Sequence, residues 1–172
     1  MIETLSINQA DNQESVLVGL GELKVTRSPS VILACLGIGS CIAVCVYDHL
    51  YKVGGMAHVV LPHCEGKPGD NPGKYADTSI PLLIGEVVKL GGHRSRLTVK
   101  IAGGAQMSLA PGLKNTFKTG ERNLEGVKSA LSKEGISVAA EDVGGNRGRT
   151  VRMYIDTGKI TVRISGGEAR EI

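Results

Sequence analysis

Aromatic side chains are almost absent from this sequence. There is no tryptophan, one phenylalanine and four tyrosines, 3% of the chain in all. So few flat faces argue against a stacking platform for bases or sugars. An excess of one charge is missing too. Twenty basic residues stand against 17 acidic ones, a net charge of +3. That balance is too mild and too dispersed for a nucleic-acid-binding surface. No apolar run approaches the ~20 residues of a membrane-spanning helix, so no membrane insertion is expected. Met1 to Asn12 have no basic leader and no apolar core, which speaks against a secretory signal. Cysteine pairs with the Cys-x2-Cys spacing of a structural zinc site do not occur.

What the chain does have is apolar content, 41% over 172 residues, enough for one domain with a substantial core. Its four cysteines, Cys35, Cys41, Cys45 and Cys64, cluster in the first half. A chain of this size needs no disulfide staples, so a cytoplasmic location with reduced thiols is expected. Short β-rich runs lie at 16–20, 31–36, 42–47 and 53–61, the last stopped by Pro62. A helix is predicted over 79–90, with Pro81 in its first turn and Gly91-Gly92 as its stop. A strand at 97–102 and a loop at 107–118 carrying Phe117 follow. A second helix is predicted over 120–133, with Leu124, Val127 and Leu131 on one face. A strand at 136–140 precedes a hairpin of 149–155 and 159–164 around Asp156-Thr157-Gly158. This order defines an α/β fold, a layered single domain of mixed β-sheets with two main helices. The expected domain covers 15–165, between an N-terminal arm, 1–14, and a C-terminal tail, 166–172.

Two residues carry the chemistry. Cys41 closes Leu36-Gly37-Ile38-Gly39-Ser40-Cys41, and His58 sits in Gly54-Gly55-Met56-Ala57-His58. If Asp48 and Tyr51 flank a two-residue hairpin loop, Cys41 and His58 are directly opposed across the strands. A thiol beside an imidazole is the minimum equipment for cysteine nucleophilic catalysis. The glycines before Cys41 leave backbone N–H groups near Gly39 and Ser40 free to face a developing oxyanion. Other readings stay open on pattern alone. Free cysteine commonly just fills a core, and a strand histidine is usually structural. Cys35, Cys41, Cys45, His58, His63 and Cys64 could be read as zinc ligands, but without the paired spacings zinc favours. Gly144 to Arg149 could cradle a phosphate, yet it lacks a P-loop lysine and opens a strand; a tight turn is the simpler reading.

The same motifs, with Lys74-Tyr75-Ala76-Asp77, Ile101-Ala102-Gly103-Gly104-Ala105, Glu121-Arg122-Asn123 and Ala140 to Arg149, resemble the CheD family of chemoreceptor glutamine deamidases. The resemblance spans roughly residues 16–165. It implies a fold similar to the catalytic domains of glutamine-deamidating toxins. It also implies hydrolysis of glutamine side-chain amides on chemotaxis receptors, giving glutamate and ammonia, with no metal or organic cofactor. Cys41 matches the family nucleophile and His58 its base. The family's third catalytic position is often a threonine six residues before the cysteine; here it is Cys35, a weaker hydrogen-bonding group. The implied partners are receptor cytoplasmic helices, as substrate, and the phosphatase CheC, as a heterodimer partner that lowers deamidation. The competing expectation is a CheC-binding regulatory module with vestigial deamidase activity.

Overall fold

The computed structural model describes residues 13–67, 69, 71–107 and 118–172. Most of the predicted arm, and the predicted loop with Phe117, therefore lie outside the described residues. Among the described residues, ten strands and two α-helices build three layers. The outer sheet has the order β1 (Glu14–Leu17), β3 (Val31–Ile38), β8 (Arg149–Tyr154), β9 (Ile160–Ile164), β10 (Ala169–Glu171). The central sheet has the order β2 (Leu23–Thr26), β5 (Val53–Val59), β4 (Ile42–Asp48), β6 (Leu97–Gly103), β7 (Val138–Val143). Helices α1 (Ala76–Lys89) and α2 (Thr119–Lys133) cover the far face of the central sheet. The β1–β3 and β6–β7 pairs are parallel and the others antiparallel, so both sheets are mixed. None of the described helices is long and apolar enough to cross a membrane.

The central strands are buried on both faces, and β4 and β5 show no exposed residue. Their alternation splits them between two cores. Ile42, Val44, Val46, Ala57 and Val59 meet Ile80, Leu83, Ile84 and Val87 of α1. Ala43, Cys45, Tyr47 and Met56 meet Leu33, Cys35, Val151, Met153 and Val162 of the outer sheet. The second face carries the site.

Three expectations need correction. The β4–β5 hairpin pairs Ala43, not Cys41, with His58. Its loop is His49 to Lys52, because the Asp48 carboxylate accepts hydrogen bonds from the N–H groups of Leu50 and Tyr51. That turn keeps Asp48 as the last strand residue, and Lys52 closes the loop at φ +52°. Helix α1 starts three residues earlier than predicted, which puts Pro81 inside it rather than in its first turn. Finally, residues 166–172, expected as a C-terminal tail, take part in the outer sheet. They contain β10, which pairs with β9, and the Ile172 carbonyl accepts from Lys100 Nζ at 2.6 Å.

Candidate functional site

The link between β3 and β4 is Gly39-Ser40-Cys41, where the chain passes from the outer to the central sheet. Cys41 is thus not inside a strand but in a three-residue crossover. All three carbonyls of that link are tied down: Gly39 to Ala105 N at 2.9 Å, Ser40 to Asn123 Nδ2 at 2.9 Å, and Cys41 to Gly104 N at 2.8 Å. Gly103 has φ +125°, and a Cβ there would collide with the Cys41 carbonyl, so only glycine fits beside the link. Asn123, wholly buried on α2, also donates to the Val60 carbonyl at 2.9 Å. One side-chain amide therefore joins the Cys41 link to the segment just past His58.

The two-residue slip in register preserves side-chain parity. Cys41 and His58 are diagonal rather than opposed, but they share the face that looks toward the outer sheet. Both line one cleft of about 310 Å³ with Leu17, Val18, Ala34 and Leu36. The cleft exists because β1 stops at Leu17, opposite Ala34, while β3 continues to Ile38. A larger cleft beside the end of α2, lined by Ser132, Gly135 and Ser137, contains no thiol or imidazole.

His58 is held on three sides by the segment after β1. Its N–H donates to the Glu22 carbonyl at 2.9 Å, and its carbonyl accepts from Gly21 N at 3.0 Å. Its Nδ1 lies 3.1 Å from the Val18 carbonyl. A carbonyl only accepts, so the neutral imidazole carries its proton on Nδ1 and its lone pair on Nε2. Nε2 is buried and has no partner among the described residues. Burial pulls the His58 pKa below its ordinary value, against the Val18 hydrogen bond and the Glu22 charge, which pull it up. Burial pushes the Cys41 thiol up, partly offset by its own backbone N–H. Both shifts favour the neutral form of each group.

Cys35 lies deeper, between the sheets. Its Sγ is 3.5 Å from the Val18 carbonyl and 3.4 Å from Met56 Sδ, and burial drives its pKa far up. It touches the carbonyl that orients His58, and it is not among the residues lining the cleft. Cys45 is likewise a buried thiol, pushed up to about 12 by burial. Cys64 lies apart, its N–H bonded to the Asp77 carboxylate. Among the described residues no three His, Cys, Asp or Glu side chains converge as metal ligands.

Past the turn after β7, the first residue of β8 points inward. Arg149 is buried and pairs with Asp142 at 3.0 Å, and its guanidinium also donates to the Gly144 carbonyl at 2.8 Å. Arg170 of β10 takes the other Asp142 oxygen at 2.7 Å. This cluster braces the strand ends behind Gly103 rather than a phosphate. Val18, Glu22 and Asn123 are the positioning residues that sequence reasoning missed. Val18 and Glu22 hold His58 through backbone carbonyls, which carry no residue-type signature. Asn123 was visible only as part of Glu121-Arg122-Asn123.

The structure is a layered α/β domain that sets a thiol and an oriented imidazole acceptor in one cleft, two groups that nucleophilic acyl chemistry can use. The comparisons narrow this further. The family model described as CheD chemotactic sensory transduction matches residues 60–164. The chemoreceptor glutamine deamidase CheD of Thermotoga maritima is 50% identical over 157 residues, covering 91% of this chain and 96% of that protein. The probable chemoreceptor glutamine deamidase CheD of Desulfitobacterium hafniense is 47% identical over 154 residues, covering 89% and 96%. That of Methanococcus vannielii is 42% identical over 155 residues, covering 90% and 97%. The chain belongs to the CheD family.

Proposed function

We propose that this protein hydrolyses the side-chain amide of selected glutamines on the cytoplasmic helices of chemotaxis receptors. The observation that carries the reading is the His58 tautomer. With Nδ1 donating to Val18, Nε2 is left as a proton acceptor in the cleft shared with Cys41. His58 Nε2 takes the thiol proton as Cys41 Sγ attacks the glutamine carboxamide carbon. Backbone N–H groups of the Gly39-Ser40-Cys41 link receive the oxyanion, while the link's carbonyls are held by Ala105, Asn123 and Gly104. The C–N bond breaks, His58 gives its proton to nitrogen, and ammonia leaves. A thioester joins Cys41 to the substrate. Water attacks it, His58 takes one water proton, the C–S bond breaks, and the thiol regains a proton. The net change is one glutamine and one water to one glutamate and one ammonia. The implied location is the cytoplasm, where these receptor helices lie.

Position 35 does not supply the orienting group in this scheme, because the Val18 carbonyl does. A second reading makes the protein mainly a CheC-binding regulatory module. Cys35, in place of the threonine the resemblance implies, is the observation that favours it. One experiment separates the two. Purified protein is incubated with a receptor cytoplasmic fragment, with and without CheC. The enzyme reading expects a gain of about one dalton per modified glutamine and none with Cys41→Ala. Tight CheC binding with no mass gain would establish the module instead.

A further inference from the structure

The outer sheet has one face on the central sheet and a second face turned away from it. Side-chain alternation and register place Leu17, Leu36, Thr150, Arg152, Tyr154 and Arg163 on that second face, around Ile32 and Ala34, which are buried. Both helices lie on the other side of the molecule. This face runs into the Cys41–His58 cleft, because Leu17, Ala34 and Leu36 belong to both. Leu17 is 54% exposed and Leu36 50%, and Leu20, on the turn beside them, is 68% exposed. Large side chains exposed in one group around a reactive cleft mark a contact surface rather than scattered surface residues.

The face also carries unanswered charge. Arg149, Arg170, Arg96 and Arg94 hold carboxylates, whereas Arg152 and Arg163, like Arg27, Arg122 and Arg147 elsewhere on the surface, have no ion-pair partner among the described residues. The β-bulge at Leu36-Gly37 sets two residues of β3 against Thr150, and Thr150 pairs with Arg163. Gly37, Thr150 and Arg163 accordingly line one depression, and Gly37 also lines the reactive cleft. A continuous track thus runs from the cleft, over Gly37, to Arg163 two strands away. At about 4.8 Å per strand that is roughly 10 Å, the rise of about seven residues of helix.

We propose, on the deamidase reading above, that this track selects the substrate. It docks an amphipathic helix whose reactive glutamine enters the cleft between Leu17, Leu20 and Leu36 while an acidic residue one to two turns away meets Arg163 or Arg152. The leucines cover the apolar stripe of the helix, and the arginines set its direction and register. Charge at the rim of such a contact contributes to encounter and specificity more than to chemistry. Arg152 and Arg163 are therefore specificity residues with no part in bond making.

The test uses the full chain and a chemoreceptor cytoplasmic fragment carrying one modifiable glutamine. The wild type is expected to show a KM that rises with salt; the Arg152→Glu/Arg163→Glu variant is expected to raise KM about tenfold, with kcat near wild type, and to lose that salt dependence. Changing acidic residues within two turns of the glutamine to Lys is expected to restore the double variant and impair the wild type. Arg152→Gln/Arg163→Gln, which adds no new charge, is expected to lie between them; it stands in if the reversed variant does not fold. An unchanged KM, a loss confined to kcat, or no rescue by the reversed substrate would overturn the proposal while leaving the deamidase reading intact. Self-association of the wild type that the arginine changes abolish, with receptor kinetics unaffected, would instead assign the face to a second copy. No deamidation of the fragment by wild-type protein, while iodoacetamide still alkylates Cys41, would refute the deamidase reading itself.

Discussion

Asn123→Ala tests how the Cys41 link is held. The two amide hydrogens of Asn123 are both used, at 2.9 Å each, on the carbonyls of Ser40 and Val60. Truncation leaves both carbonyls without that donor in a buried setting, at about 1–3 kcal/mol apiece. Asn123 Oδ1 has no partner among the described residues, and its removal recovers part of the cost. The expected net loss is about 2–4 kcal/mol by urea denaturation, a large share of the stability of an ordinary domain. Because Ser40 precedes Cys41, kcat on a receptor fragment is expected to fall more than KM rises. Asn123→Asp sharpens the test. It keeps the shape but sets a carboxylate against two carbonyl oxygens, so it is expected to be worse than Ala at neutral pH. Acidification should partly recover it, as the protonated carboxyl regains one donor. An Ala variant within 0.5 kcal/mol of wild type, or an Asp variant as stable as wild type at neutral pH, would refute this role.

Further predictions concern the pair, the hairpin and Cys35. Since burial lowers the His58 pKa and raises that of Cys41, iodoacetamide alkylation of Cys41 should keep climbing above pH 9; a plateau at acid pH would mean a preformed thiolate–imidazolium pair instead. Burial raises the Asp48 carboxyl, but Arg96 and the N–H groups of His93, Tyr51 and Leu50 outweigh it and bring it down to about 2. Its folded pKa lies below its unfolded one, so its contribution of about 2 kcal/mol is present above pH 4 and lost as pH falls toward 2; urea midpoints across that range should show the loss, and Asp48→Asn should flatten it. Cys35→Ala is expected to keep kcat within about fivefold and to cost about 1 kcal/mol for the small void; a hundredfold loss of kcat would make Cys35 a true third member.

That Cys41 and His58 look onto one cleft was legible because strand parity survives a slip of two residues. Their directly opposed register was not, since it depended on the Asp48 side chain capping its own turn. The two helices and the layering followed from apolar spacing, whereas the start of α1 did not. Tyr75 caps it with backbone alone and so leaves no side-chain signature of the start, and Ser79, the predicted first residue, lies inside the helix. Strand β10 escaped notice because Ala169–Glu171 is short and exposed and is held by pairing with β9. Arg149 looked like part of a surface turn, and only the fold brings Asp142 and Arg170 to it. The orienting group for His58 is a main-chain carbonyl, which any residue at position 18 could offer.

The most direct test of Cys41 as nucleophile is trapping of its thioester. With hydroxylamine present, a thioester partitions between water and the stronger nucleophile. Wild-type protein and a receptor fragment are expected to yield γ-glutamyl hydroxamate at the same glutamine that otherwise becomes glutamate, read by peptide mass spectrometry, and Cys41→Ala to yield neither. Glutamate without hydroxamate at any hydroxylamine concentration, or turnover by Cys41→Ala, would contradict the account.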